Sequence, residues 1–145
     1  MRVGAPRPDL SSADAFKSAL LKATSISYPQ EGAAGTHLAK VLERFGIADH
    51  MKAKTKPQQD APRTVQAVAD GEAELGFAPA NIVLSVKGAE LAGLLPAELQ
   101  NYIVQTAGVV SAAKEPEAAK AFIKFLLTPE ATAVMKARGL ERPTP

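Results

Sequence analysis

Few residues in this sequence have the type and the spacing for chemistry. It contains no cysteine, which excludes thiol nucleophiles, disulfides and thiolate metal sites. Its two histidines, His37 and His50, lie too far apart to suggest a metal motif by spacing, so neither a metal nor a cofactor is expected. No serine sits in a nucleophile elbow, and no glycine-rich phosphate loop ends in lysine. Glu72 and Glu74 would point the same way along a strand, but they lie beside a turn, where carboxylates are solvated. His37 falls in the first turns of a predicted helix, where the dipole disfavours protonation, and reads as a helix-surface residue. Tyr102 has two readings: an amphipathic strand residue with its hydroxyl bonded at the edge, or a donor to an anion held by neighbouring loops. Catalysis is not expected.

The remaining chemistry belongs to the backbone. Ser25-Ile26-Ser27-Tyr28 is short and β-prone, and Leu38, Val41, Leu42 and Phe45 return at helical spacing. Between them, Pro29 to Gly35 forms a glycine-containing loop into a helix start. A first helical turn leaves N–H groups unpaired, and the dipole adds partial positive charge there. Those are the requirements for holding an anion. Taken alone, the same stretch reads first as an ordinary strand-to-helix connection.

The elements that must position this loop follow from pattern. Ser11-Ser12-Ala13-Asp14 predicts a capped helix continuing through Phe16, Leu20 and Ala23. The helix after Gly35 is expected to end at Gly46 in a left-handed cap, with Ile47 packed behind it. Met51 to Lys56 alternates as a strand closed by Pro57, with Lys52, Lys54 and Lys56 on one solvated face. Pro62 to Ala69 predicts a short helix, and Glu74 to Pro79 a second buried strand. Glu90 to Leu95 and Asn101 to Ser111 read as further strands. Helices are expected from Glu117 to Leu127 and from Glu130 to Arg138, with Glu141 to Pro145 a frayed tail. Alternating strands and helices argue for an α/β fold with a parallel or mixed sheet covered on both faces.

Composition narrows the partners. Aromatics are only 5% of residues and alanine dominates the apolar share, a pattern typical of helices packed through small side chains. The net charge of +2 comes without a dense basic run, which argues against a nucleic-acid groove. No apolar run is long enough to cross a membrane, and Met1 to Pro6 lacks the apolar core of a signal peptide. If Met1 is the true start, a cytoplasmic location is expected.

The order of these pieces resembles the later part of the periplasmic molybdate-binding family, the solute-binding proteins of ABC uptake systems. The resemblance rests on Val3-Gly4-Ala5-Pro6-Arg7-Pro8-Asp9-Leu10, Ser27-Tyr28-Pro29 with Ala34-Gly35, and Val41-Leu42-Glu43-Arg44-Phe45-Gly46-Ile47. It continues in Val68-Ala69-Asp70-Gly71-Glu72-Ala73-Glu74-Leu75-Gly76-Phe77, Leu95-Pro96-Ala97-Glu98-Leu99-Gln100 and Ala121-Phe122-Ile123-Lys124-Phe125-Leu126. Together these span nearly the whole chain.

The resemblance implies a type II periplasmic-binding fold: two α/β lobes joined by crossing strands, with a small anion in the cleft. Residues 9–95 would form one nearly complete lobe, and 96–145 a crossing strand and the terminal helices of the other. Ala34 and Gly35 would face the cleft, Ala78 and Ala80 would frame a second backbone contact, and Tyr102 would be the ligand-facing tyrosine. Pro79-Ala80-Asn81 departs from the more polar loop of molybdate binders. The implied partners are molybdate, tungstate or sulfate, bound weakly by a monomer, and an ABC permease in the periplasm. The family's amino-terminal half-lobe is missing, so Phe122, Phe125 and Leu126 would be exposed and would favour a homo-oligomer through the terminal helices. The alternative is a self-associating module that binds no ligand. A regulator's effector-sensing domain would need a helix-turn-helix, which the sequence does not show.

Overall fold

A computed structural model describes residues 1–142. It divides into two compact units, Met1–Asn101 and the residues from Tyr102 onward. The first unit contains α1 (Ala13–Lys22), β1 (Ile26–Pro29), α2 (Ala33–Arg44), α3 (Ala48–Lys52), β2 (Thr55–Gln58), α4 (Ala61–Ala69), β3 (Leu75–Gly76), α5 (Ala80–Val83) and a 3-10 turn at Ala97–Leu99. The second contains α6 (Pro116–Leu126) and α7 (Pro129–Ala137).

The three strands form a parallel sheet in the order β2-β1-β3, which meets the α/β expectation. Alternation along β1 decides what covers each face. Ile26, with its register partner Leu75, joins the cluster built from Phe16 and Leu20 of α1 and Leu38, Val41 and Leu42 of α2. Ser27 and its partner Gly76 face α4 instead. A Cβ on Gly76 would stand 2.8 Å from Val68 Cγ2, so two small residues in register let α4 approach closely. Buried Ser27 is satisfied by donating to the Lys56 carbonyl at 3.0 Å. Both faces are therefore covered.

Helix ends follow the sequence closely. Ser12 and Thr128 accept from the N–H three residues on, capping α1 and α7. After α2 the Gly46 N–H reaches Glu43 O and the Ile47 N–H reaches Leu42 O, with Ile47 buried. That is the expected left-handed cap with its apolar contact.

Several strand expectations are corrected. Met51 does not open a strand: Ile47 and Met51, four residues apart, are both buried by the helical turn of α3. The strand begins at Thr55 and runs through Pro57, because β2 is an edge and tolerates a residue without an N–H. Only Leu75–Gly76 of the predicted 74–79 strand is paired. Glu90 to Leu95 is not a strand; its first residue bonds to Met1, beside a single antiparallel bridge between Arg2 and Ala89. Asn101 to Ser111 forms no strand either, because β-propensity without a neighbouring ladder fixes nothing.

The lysines do not share a solvated strand face. Lys52 pairs with Asp49 at 2.7 Å on α3. Lys54 donates to the Leu21 carbonyl at 2.7 Å and Lys56 to the Glu72 carbonyl at 2.6 Å. The Lys54 bond places a cation on the last turn of α1, where the dipole favours it.

In the second unit Phe122 and Phe125 are exposed as expected, whereas Leu126 is half-buried and Leu127 is the exposed neighbour. The tail expectation lies, beyond Arg142, outside the described residues.

Glu74 gives the first unit a pH-dependent contact. Its carboxylate accepts from Thr24 Oγ1 at 2.6 Å and from the Thr24 N–H at 2.8 Å, which holds it below the ordinary value of 4.5. A depressed folded value stabilises fully above the unfolded value and is lost as pH falls through the folded one. Glu74→Gln is therefore expected to lower stability at neutral pH, where the carboxylate bonds are intact, and to leave low pH, where the carboxyl is already protonated, much less affected, which flattens the acid limb of the stability curve. Superimposable acid limbs would contradict the assignment.

Candidate functional site

All three strands are parallel, so their carboxyl ends lie along one edge, the position where ligands bind in open α/β sheets. Three helices start there, and they differ in how their first turns are satisfied. After β2, Asp60 caps α4, its carboxylate accepting from the Arg63 N–H at 2.7 Å. After β1, α2 begins behind Gly32 with no side-chain cap and no acid in its first turn. After β3, α5 begins behind Pro79, also without a side-chain cap. The first is occupied by its own anion. In the twelve-residue α2 no side chain of its own cap occupies the first-turn N–H groups.

The sequence candidates fall on this edge with one exception. Ala34, half-buried, and Gly35, buried, are in the first turn of α2. Ala78 and Ala80, both half-buried, flank the start of α5 at the end of the adjacent strand. Phe77 anchors that loop: its N–H bonds Ser27 O at 2.8 Å, and its ring packs 5.5 Å from that of Phe16. Tyr102 belongs to the second unit, where it is 67% exposed.

Gly35 has a packing reason of its own. A Cβ there would lie 1.9 Å from the Pro29 carbonyl oxygen, so the close approach of α2 to β1 requires glycine whether or not a ligand binds.

His37 is not a plain surface residue. Its Nε2–H donates to the Leu99 carbonyl at 2.7 Å, across 62 residues, tying the 3-10 turn to α2. Glu72 accepts both bonds from Arg63 Nη2 at 2.9 Å, and Glu74 is committed to Thr24. Neither carboxylate is free to pair with the other as acid and base.

Beside the α2 start, an open groove of about 670 Å³ runs along the helix. Tyr28, Gln30, Thr36, Lys40 and Glu43 line it, with Thr55 and Pro57 of β2. Sequence reasoning passed over Thr36, Lys40 and Glu43. Their i, i+4, i+7 spacing was the available signal of a polar stripe.

A family model described as bacterial extracellular solute-binding protein matches residues 1–141. The chain belongs to this family. It is 35% identical over 146 residues to the aconitate isomerase of a Pseudomonas species, a match covering 100% of this chain and 55% of the relative. It is 32% identical over 128 residues to the molybdate-binding protein ModA of Azotobacter vinelandii, covering 86% and 50%. The periplasmic molybdate-binding protein of Azotobacter vinelandii shares its fold at a TM-score of 0.70 and 24% identity, over 95% of this chain and 62% of that one. A substrate-binding domain of a molybdenum ABC transporter from Clostridium difficile does so at 0.72 and 23%, over 92% and 62%. The chain spans about half the length of the curated relatives it matches. Its fold is that of the solved solute-binding proteins over this partial length. Among the described residues, no helix is long and apolar enough to cross a membrane.

Proposed function

We propose that this chain is the solute-recognising part of an ABC-type uptake system outside the cytoplasmic membrane, and that it holds a small oxyanion by binding without chemistry. The observation that carries the reading is the contrast along one sheet edge: α4 is closed by Asp60, whereas α2 presents an uncapped first turn with no acid. Backbone N–H groups of Ala34 and Gly35 would replace hydration on one side of the anion. The Ala78–Ala80 loop would supply a second backbone contact. Neutral donors suit a weakly basic oxyanion such as molybdate, tungstate or sulfate. Residues 1–145 would hold such an anion weakly as a monomer, since roughly half of each relative's length lies outside the match.

A second reading is favoured by the relative named aconitate isomerase, whose match covers the whole chain at 35% identity. The ligand would then be a polycarboxylate, each carboxylate taking the place of the oxyanion against α2.

Isothermal titration of the 145-residue chain with molybdate, tungstate, sulfate and aconitate decides between them. The oxyanion reading expects molybdate or tungstate to bind most tightly, with dissociation constants weaker than micromolar. Tighter binding of aconitate, or its isomerisation followed by proton NMR, would favour the second reading. Heat from none of the four would overturn both.

A further inference from the structure

The 3-10 turn Ala97–Leu99 is only three residues long, yet it is fastened to the two helices that carry the core cluster, α1 and α2. Leu99 is 3% exposed and joins the cluster that contains Phe16 and Leu20 of α1 and Leu38 and Val41 of α2. The Glu98 carboxylate accepts from the Ala13 N–H at 3.1 Å, one of the first-turn donors of α1. The Leu99 carbonyl accepts from His37 Nε2 at 2.7 Å, and the Glu98 carbonyl from Arg44 Nη1 at 3.5 Å. Among the described residues, these two are the side-chain hydrogen bonds made from α2, and both end on the turn.

We infer that this turn is a strap that sets the pose of α2, with His37 as the positioning residue. Apolar contacts are non-directional, so Leu38, Val41 and Leu42 fix the distance of α2 from the sheet better than its roll. A hydrogen bond made through a stiff ring is directional. A carbonyl only accepts, so this bond requires the ring proton on Nε2. His37 stands three residues after Ala34 and four after Ala33, on the same face of the helix. The tie therefore acts one turn from the uncapped N–H groups and sets where they point. Its consequence for binding rests on the proposed anion site at the α2 start; the pose itself does not.

Two variants of the 145-residue chain isolate the bond. His37→Leu removes it, and His37→Gln restores it, because the glutamine amide carries an N–H at a similar reach to Nε2. Neither has the imidazole ring, so ring-current effects cancel between them. Without ligand, the Leu99 and Gln100 amides, bonded to Pro96 O at 2.8 Å and Ala97 O at 3.3 Å, should exchange about fivefold faster in His37→Leu than in His37→Gln. The Ala33–Thr36 amide shifts should also differ between the two, while those of α4 coincide. Identical exchange and identical α2 shifts would overturn the proposal whether or not any anion binds. Titration with molybdate then reads the consequence, an affinity about fivefold lower in His37→Leu and recovered in His37→Gln. Glu74→Gln, which weakens the same unit through Thr24, should leave affinity unchanged. Equal affinity in the two His37 variants, or an equal loss in Glu74→Gln, would overturn the positioning role. Absence of heat with the native chain would remove the anion reading, and the exchange comparison would still decide the strap.

Discussion

Gly35→Ala is expected to lower the melting temperature of the first unit by about 12–24 °C, on a loss of about 3 kcal/mol. Helix propensity argues the other way, since alanine is preferred to glycine inside a helix by about 0.5–1 kcal/mol. Geometry decides the sign. The new Cβ would meet Pro29 O at 1.9 Å and Pro29 C at 3.1 Å, and both are backbone atoms of β1 that no rotamer change can move. Relief requires α2 to retreat from the sheet, which draws Leu38 and Val41 out of the core. Against a typical domain stability of about 5–15 kcal/mol, such a loss is large. Thermal unfolding by circular dichroism measures it. An unchanged melting temperature would mean that α2 does not sit this close to β1. Loss of anion binding in this variant would not by itself show that Gly35 touches the anion.

Ala34→Asp separates binding from stability. Ala34 is the second residue of α2, where a carboxylate lies among the unpaired N–H groups. The favourable charge–dipole contact is worth about 0.3–1 kcal/mol. The lower helix propensity of aspartate costs about 0.7 kcal/mol or less. Stability should therefore change by well under 1 kcal/mol. Binding should suffer far more, because the new carboxylate occupies the donors the ligand needs and repels it. A loss of tenfold or more in affinity is expected, equivalent to about 1.4 kcal/mol. Titration of both proteins with the tightest anion of the panel checks this. Equal affinities would remove the α2 start from the site.

Much of the first unit was legible in sequence because its signals are local. The serine cap of α1, the Pro-containing start of α7 and the glycine after α2 each specify a hydrogen bond within a few residues, and each is in place. What failed were inferences that needed a distant partner. Tyr102 to Val110 is rich in β-formers, yet a strand exists only where another strand meets it. Lys52, Lys54 and Lys56 alternate as strand residues do, but their partners are Asp49, Leu21 O and Glu72 O, on or beside three different helices. Met51 was read with the strand after it, although its spacing from Ile47 is helical and both side chains are buried.

The candidate site was legible only as a position. Strand, loop and helix order placed Ala34 and Gly35 at the start of the helix after β1, and in the structure they lie in its first turn, at the carboxyl edge of the sheet. The reason for Gly35 itself was not readable, because the Pro29 carbonyl that excludes a side chain is a tertiary neighbour. Nor was the contrast with α4 apparent, since Asp60 shows itself as a cap only once its bond to the Arg63 N–H is seen.

The central claim is that the first-turn amides of α2 hold the anion. Amide chemical shifts of isotopically labelled protein, followed during titration with molybdate and with aconitate, test it most directly. The account predicts that Ala33, Ala34 and Gly35 move progressively with ligand, and Ala80 with them. The first turns of α1 and α4, already capped by Ser12 and Asp60, should stay still. Saturable shifts confined to other residues, with the α2 amides unmoved, would contradict it.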